Sequence, residues 1–113
     1  MIPHVLSIAG VDPSGGAGLL ADLKTFSALQ AYGMGVVAAL TAQSTVSVAG
    51  VQAVPAEFVA QQIDTLFADV RIDSVKLGML GTADVVAAVA DALRRHRPAH
   101  CVLDPVKIGR AHV

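Results

Sequence analysis

Hydrophobic positions along the chain switch between strand-like and helical spacing, and the switches mark its elements. Val5, Leu6, Ile8 and Ala9 form a short strand-like run that breaks into a turn of Asp12, Pro13, Ser14, Gly15 and Gly16. From Ala17 onward, Leu19, Leu20, Leu23, Phe26 and Leu29 recur at helical spacing, so the glycine turn opens straight into a helix. Gly35 to Ala42 is an almost unbroken apolar run, as expected of a strand covered on both faces. Val46 and Val48, then Val51 and Val54, flank Ala49 and Gly50 like a short hairpin or flap. Pro55 opens a helix whose Val59, Ile63, Leu66 and Val70 share a face, and Ser74 to Leu77 is a strand. Thr82 is placed to cap the next helix, with Asp84 in its first turn and Arg94, Arg95 and His96 in its last, which suits the helix dipole. Pro98 stops it, and Cys101 to Leu103 is a final strand. The order β-α-β-(flap)-α-β-α-β predicts an α/β protein with a largely parallel sheet and right-handed crossovers.

That order predicts where a ligand binds. In open parallel sheets ligands sit beyond the carboxyl ends of the strands, which here carry Gly10, Gln43, Gly78 with Met79, and Asp104 with Val106. The Gln43 amide has the chemistry to donate to a ring nitrogen and accept from an adjacent exocyclic amine, as glutamine does with adenine, and an aminopyrimidine presents the same edge. Its structural alternative is to cap backbone groups in the next turn. Met79 either packs on a flat ring or belongs to the core. Asp104 either helps to hold Mg2+ through water, or orients a phosphate, or starts a turn before Pro105. Asp22 lies three residues from Leu19 and four from Phe26, so it shares the apolar face of the first helix, where a charge needs a reason.

The glycine loop resembles two phosphate-binding motifs and completes neither. Gly10 and Gly15 have the spacing of the P-loop glycines, but Gly16 and Ala17 stand where its lysine and hydroxyl belong. Gly16, Gly18 and Ala21 fit the dinucleotide fingerprint, yet the second strand ends without an acidic residue to hold a ribose. The structural alternative is a tight strand-to-helix turn whose glycines only relieve strain.

Composition narrows the classes further. With 113 residues, 54% hydrophobic and 15% charged, the chain suffices for one modest core, and no polar linker divides it. A net charge of −1 and 4% aromatic residues lack the basic stripe and stacking platform of a nucleic-acid binder. The longest apolar stretch is too short for a bilayer and residues 1–12 carry no signal-peptide pattern, so neither nucleic acid nor membrane is an expected partner and the cytoplasm is the expected location. The single cysteine, Cys101, fits a reducing compartment and is expected to be a buried small residue. His96 and His100 are separated by Pro98 and make a poor zinc pair, while Lys24 and Lys76 either reach a phosphate or, as surface lysines usually are, are simply solvated.

Four stretches carry a family resemblance: AGVDPSGGAGLLADLKTFSALQAYG, ALTAQST, VRIDSVKLGML and VLDPV. In this order and spacing, over residues 4–106, the chain resembles the amino-terminal half of hydroxymethylpyrimidine/phosphomethylpyrimidine kinases, thiamin-pathway enzymes of the ribokinase-like superfamily. The resemblance implies a three-layer α-β-α fold with a mostly parallel sheet, residues 1–106 being the substrate-binding half of one kinase domain. It implies that ATP, with Mg2+, phosphorylates 4-amino-5-hydroxymethyl-2-methylpyrimidine and then its monophosphate. Gln43 matches the family residue that binds the pyrimidine, and Gly10, Asp22, Met79 and Val106 match other pocket positions. In that family the glycine-rich anion hole, the catalytic base and most of the ATP surface lie in the carboxyl-terminal half. No catalytic residue is therefore expected in this chain, which alone is expected to be inactive and poorly soluble. A homodimer is expected of the full-length protein, with the apolar flap as its surface. A pyridoxal-type vitamin kinase and a noncatalytic pyrimidine-binding module are the alternatives.

Lys107 to Val113 depart from that pattern. One codon choice for them, AAG ATC GGA AGA GCA CAC GTC, spells a common sequencing-library adapter, so residues 107–113 are expected to be a non-native tail.

Overall fold

A computed structural model of the chain describes residues 1–104; Val106 and the tail 107–113 lie outside the described residues. The elements follow in the order β1 (His4–Val11), α1 (Gly18–Ala28), β2 (Tyr32–Gln43), β3 (Val48–Ala53), α2 (Ala56–Asp69), β4 (Ser74–Leu77), α3 (Ala83–His96) and β5 (His100–Leu103). The strands form one sheet in the order β3-β2-β1-β4-β5. β1 pairs in parallel with β2 and β4, β4 pairs in parallel with β5, and β2 pairs antiparallel with β3.

Alternation along the strands sends side chains to two different helix layers. Leu6 and Ile8 of β1, Val36 and Ala38 of β2 and Val75 of β4 form one buried cluster with Val59 and Ile63 of α2 and Val85, Val89 and Ala92 of α3. The intervening residues face α1 instead, as the Ser7–Asp22 hydrogen bond shows. Gly33 and Gly35 let α1 dock closely on β2. A methyl at Gly33 would lie 3.1 Å from Leu23 and Phe26, and one at Gly35 would lie 2.6 Å from Leu19. The result is α1 on one face and α2 with α3 on the other, the three-layer arrangement of the fold class expected from the sequence. Thr82 caps α3 through its side chain, which accepts from the Val85 N–H at 3.2 Å. No helix among the described residues is long and apolar enough to cross a membrane.

Several local expectations are corrected. Ala49 and Gly50 do not form the tip of a hairpin; they lie within β3, and the chain reverses at Ser44–Ser47, closed by the Ser44 N–H donating to the Ser47 carbonyl at 2.9 Å. β2 begins at Tyr32, before the apolar run, because β1 offers a parallel partner down to His4. Leu29 falls outside the buried stripe of α1: the helix ends at Ala28 and Gln30 turns the chain at φ 62°, leaving Leu29 exposed. Cys101 is exposed rather than buried: among the described residues β5 is the last strand of the sheet on that side, and its four residues are all exposed.

The other edge is protected by a side chain. β3 pairs with β2 only from Ala39 onward, so among the described residues the amino-terminal half of β2 has no strand on that side. Gln62 of α2 takes its place: its Oε1 accepts from the Val37 N–H at 3.0 Å and its Nε2 donates to the Val37 carbonyl at 3.0 Å. One amide thus satisfies both backbone groups that a neighbouring strand would have paired and blunts the edge against intermolecular pairing. Gln62→Leu is expected to destabilise the chain by about 1–3 kcal/mol, because two part-buried backbone groups lose their partners. The exposed neighbour Gln61→Leu is the control, with an expected effect within about 0.5 kcal/mol. Protease titration of the surface-displayed chain measures both, and equal effects would show that Gln62 does not hold the edge.

Candidate functional site

The strand-to-helix loop after β1 is held by the Asp12 carboxylate and, from α1, by Lys24, whose Nζ donates to the Gly15 carbonyl at 3.2 Å. Asp12 Oδ1 accepts from the Ser14 N–H at 2.9 Å and the Ser14 hydroxyl at 2.7 Å, and Oδ2 accepts from the Ala17 N–H at 3.0 Å. The Ser14 hydroxyl bond, set against desolvation and joined by the backbone bonds, holds the Asp12 carboxyl below its ordinary value. Gly18 then starts α1 at φ 65°, where a Cβ would fall 2.5 Å from the Gly10 carbonyl oxygen, so glycine is required there. No side chain caps the helix, since the N-cap is Ala17.

Around this loop lies a cavity of about 600 Å³. Gly10, Asp12, Ala17 and Gly18 line it from β1 and its loop, Thr41 and Gln43 from the end of β2, and Val48 and Val51 from β3. Lys76, Gly78 and Met79 border it from β4 and the loop beyond, and Asp104 from the end of β5. Backbone bonds carry the β1–β4 pairing past the strand ends, with the Gly78 N–H donating to the Ile8 carbonyl at 2.9 Å and the Gly10 N–H to the Met79 carbonyl at 3.1 Å. A Cβ on Gly10 would sit 3.3 Å from the Met79 Cε, so the bare Gly10 gives that thioether its place on the cavity wall. Gln43 Nε2 donates to Thr41 Oγ1 at 2.9 Å, and Thr41 Oγ1 donates to the Val11 carbonyl at 2.7 Å.

Of the residues singled out from the sequence, Gly10, Gln43, Met79 and Asp104 border this cavity together. Val106 lies outside the described residues. Asp22 does not line the cavity and stands behind Lys76, accepting from the Ser7 hydroxyl at 2.7 Å on one oxygen and from Lys76 Nζ at 2.8 Å on the other. Lys76 also lies 3.4 Å from Asp104, whose side chain is exposed. Burial pulls the Lys76 ammonium down, but hydrogen bonds and charge from Asp22 and then Asp104 outweigh it and hold its pKa above the usual lysine value. The reading of Lys76 as a solvated lysine is therefore corrected: it is the charge partner that Asp22 required. Thr41, Val48 and Val51 are further cavity residues that the sequence reading did not single out. Thr41 had a signal, being two residues before Gln43 on one strand and so on the same face. His96 pairs with Asp64 at 2.6 Å and stacks on Phe67, which accounts for it without a metal. Among the described residues no group of three or more His, Cys, Asp or Glu is placed to hold a metal ion.

The sequence model of the family described as phosphomethylpyrimidine kinase matches residues 12–112. The chain belongs to that family. It is 54% identical over 108 residues to the hydroxymethylpyrimidine/phosphomethylpyrimidine kinase of Salmonella typhimurium, an alignment that covers 96% of this chain and 41% of the relative. The chain therefore spans less than half the length of that relative. The fold matches the crystal structure of phosphomethylpyrimidine kinase from Clostridium difficile 630 with a TM-score of 0.89 at 41% identity, covering 92% of this chain and 45% of that one. It also matches the pyridoxal kinase from Staphylococcus aureus in complex with AMP-PCP and pyridoxal, with a TM-score of 0.82 at 34% identity, covering 94% of this chain and 40% of that one.

The Asp22–Lys76 pair generates a stability prediction, best tested in a full-length chimera in which residues 1–104 replace the matching segment of the Salmonella typhimurium relative. Lys76→Met leaves the Asp22 carboxylate without its cation and is expected to cost roughly 2–4 kcal/mol, while Lys76→Met with Asp22→Asn recovers most of that loss. The folded state holds the Lys76 pKa above its ordinary 10.5, so its stabilisation is complete below that value and disappears as pH rises through the folded pKa. Thermal unfolding across alkaline pH should show that limb in the parent chimera and not in Lys76→Met. A double variant no more stable than the single one would contradict the pairing.

Proposed function

We propose that this chain is the pyrimidine-binding, amino-terminal part of an ATP-dependent kinase that phosphorylates 4-amino-5-hydroxymethyl-2-methylpyrimidine and then its monophosphate, supplying the pyrimidine half of thiamin in the cytoplasm. One observation carries the reading: an amide with both a donor and an acceptor, Gln43, stands in a cavity at the carboxyl ends of parallel strands. The apolar wall of Val48, Val51 and Met79 suits a flat heteroaromatic ring, and the amide suits the ring-nitrogen and amine edge of an aminopyrimidine. In this reading Gly10 and Met79 flank the ring, and Asp22 acts through Lys76 rather than by touching the substrate.

Phosphoryl transfer needs positioning and electrostatic stabilisation more than covalent participation. Residues 1–104 supply the positioning of the acceptor; the catalytic base and the main ATP surface are assigned to the part of the relatives that this chain does not span. Magnesium, brought with the nucleotide, would neutralise charge on the transferring phosphate. Asp104 fits it as one water-mediated ligand, since a lone exposed carboxylate beside Lys76 is too little to hold the ion by itself. The exposed Val46, Val48 and Val51 support a homodimer through the β3 flap.

The likeness to pyridoxal kinases makes a pyridoxal-type ring the second reading. A module that binds the pyrimidine without turnover is the third, and the gene sequence downstream of Val106 separates it from the others: a glycine-rich loop with a catalytic base supports a kinase, and its absence in an intact gene supports the module. In the chimera, Gln43→Ala removes the ring-reading amide, a loss of about 1–3 kcal/mol that weakens hydroxymethylpyrimidine binding roughly tenfold to a hundredfold. Affinity for AMP-PCP stays unchanged. Calorimetric titration of each ligand tests this: unchanged pyrimidine affinity removes Gln43 from the site, and tighter binding of pyridoxal than of the pyrimidine favours the second reading.

A further inference from the structure

The Gln43 side chain offers a carbonyl oxygen on one arm and an NH2 group on the other, and which arm faces the cavity determines what the cavity recognises. An amide standing alone on a cavity wall is free to turn over. This one is not. Thr41 Oγ1 lies 2.7 Å from the Val11 carbonyl oxygen, and a carbonyl only accepts, so the single hydroxyl proton of Thr41 is committed to Val11. Toward Gln43 the hydroxyl therefore presents lone pairs alone. The atom of Gln43 facing it, at 2.9 Å, is accordingly the nitrogen. Turning the amide over would set two lone-pair oxygens against each other and remove a hydrogen bond.

We infer that Thr41 is the positioning residue that fixes the polarity of the Gln43 amide, and thereby sets the preference of the cavity for an amino ring over its oxo counterpart. The inference rests on the reading of Gln43 as the group that meets the ring. With one Nε2 proton held by Thr41, the other Nε2 proton and the Oε1 lone pairs are left to the ligand. Their complement is a ring nitrogen beside an exocyclic amine. A ring carrying a carbonyl beside a ring N–H presents the opposite order, acceptor against acceptor and donor against donor in the same register, and is rejected. Thr41 and Gln43 are two residues apart on β2 and both border the cavity, so the chain from Val11 to Thr41 to Gln43 runs from the end of β1 into the site.

The test measures dissociation constants for the 4-aminopyrimidine and its 4-oxo counterpart in the full-length chimera. The parent is expected to prefer the amino ring by about a hundredfold or more. Thr41→Val keeps the side-chain shape and removes the hydroxyl, freeing the amide to turn, and the preference should fall by about tenfold or more. Thr41→Ser keeps the hydroxyl and should keep the preference. Thr41→Ala provides a second reading of the same ratio should Thr41→Val fold poorly. A purely structural role for Thr41 weakens both ligands alike; an unchanged ratio in Thr41→Val or Thr41→Ala overturns the inference while leaving the reading of Gln43 intact. A parent chimera without preference, or Gln43→Ala binding the amino ring normally, overturns both.

Discussion

Because β1 is hydrogen-bonded in parallel on both sides, to β2 through eight residue pairs and to β4 through four, the carboxyl ends of all three strands finish close together and their loops gather around one cavity. β5 joins at the same end through its parallel pairing with β4, which brings Asp104 to the rim. Parallel pairing demands crossover helices, and these cover the two faces that the alternating strand residues make apolar. The cavity is thus a consequence of strand direction before it is a consequence of any particular side chain. The antiparallel β3 is the exception, and its residues Val48 and Val51 close the cavity from the flap side.

On this frame the polar groups act in two linked sets. Ser7, Asp22, Lys76 and Asp104 form a charged set running from the face of α1 to the rim, with Lys76 joining a nearly buried carboxylate to an exposed one. Val11, Thr41 and Gln43 form a neutral set in which each group's proton leads to the next. The first set makes a charge tolerable beneath the cavity. The second sets the direction of the amide within it. Neither needs the other in order to form, so their contributions should separate cleanly under mutation.

How far these features were legible in the sequence depended on whether their cause was local. Helix and strand patterns, the Thr82 cap and the gathering of Gly10, Gln43, Met79 and Asp104 at strand ends follow from spacing along a short segment together with the rule for parallel sheets. Asp22 stood out as a carboxylate on an apolar face, but its partner Lys76 lies 54 residues away and is brought to it by folding alone. The flap was misread because Ala49 and Gly50 look like a turn, whereas Ser44 to Ser47 close it through their own backbone and hydroxyl bonds. Cys101 shows a related limit: an apolar run signals a strand but not how much of that strand other segments cover. Gln62 gave no signal, since a glutamine on a helix shows its role only beside an unpaired strand edge.

In the proposed site the Gln43 amide, with its direction set by Thr41, meets an aminopyrimidine edge. A crystal structure of the full-length chimera with hydroxymethylpyrimidine bound tests it most directly. Gln43 Oε1 is expected at about 3 Å from the exocyclic amine and Nε2 at about 3 Å from the adjacent ring nitrogen, with the Thr41–Gln43 bond retained. A ring bound elsewhere, or bound here with Gln43 turned so that its carbonyl faces Thr41, would contradict it.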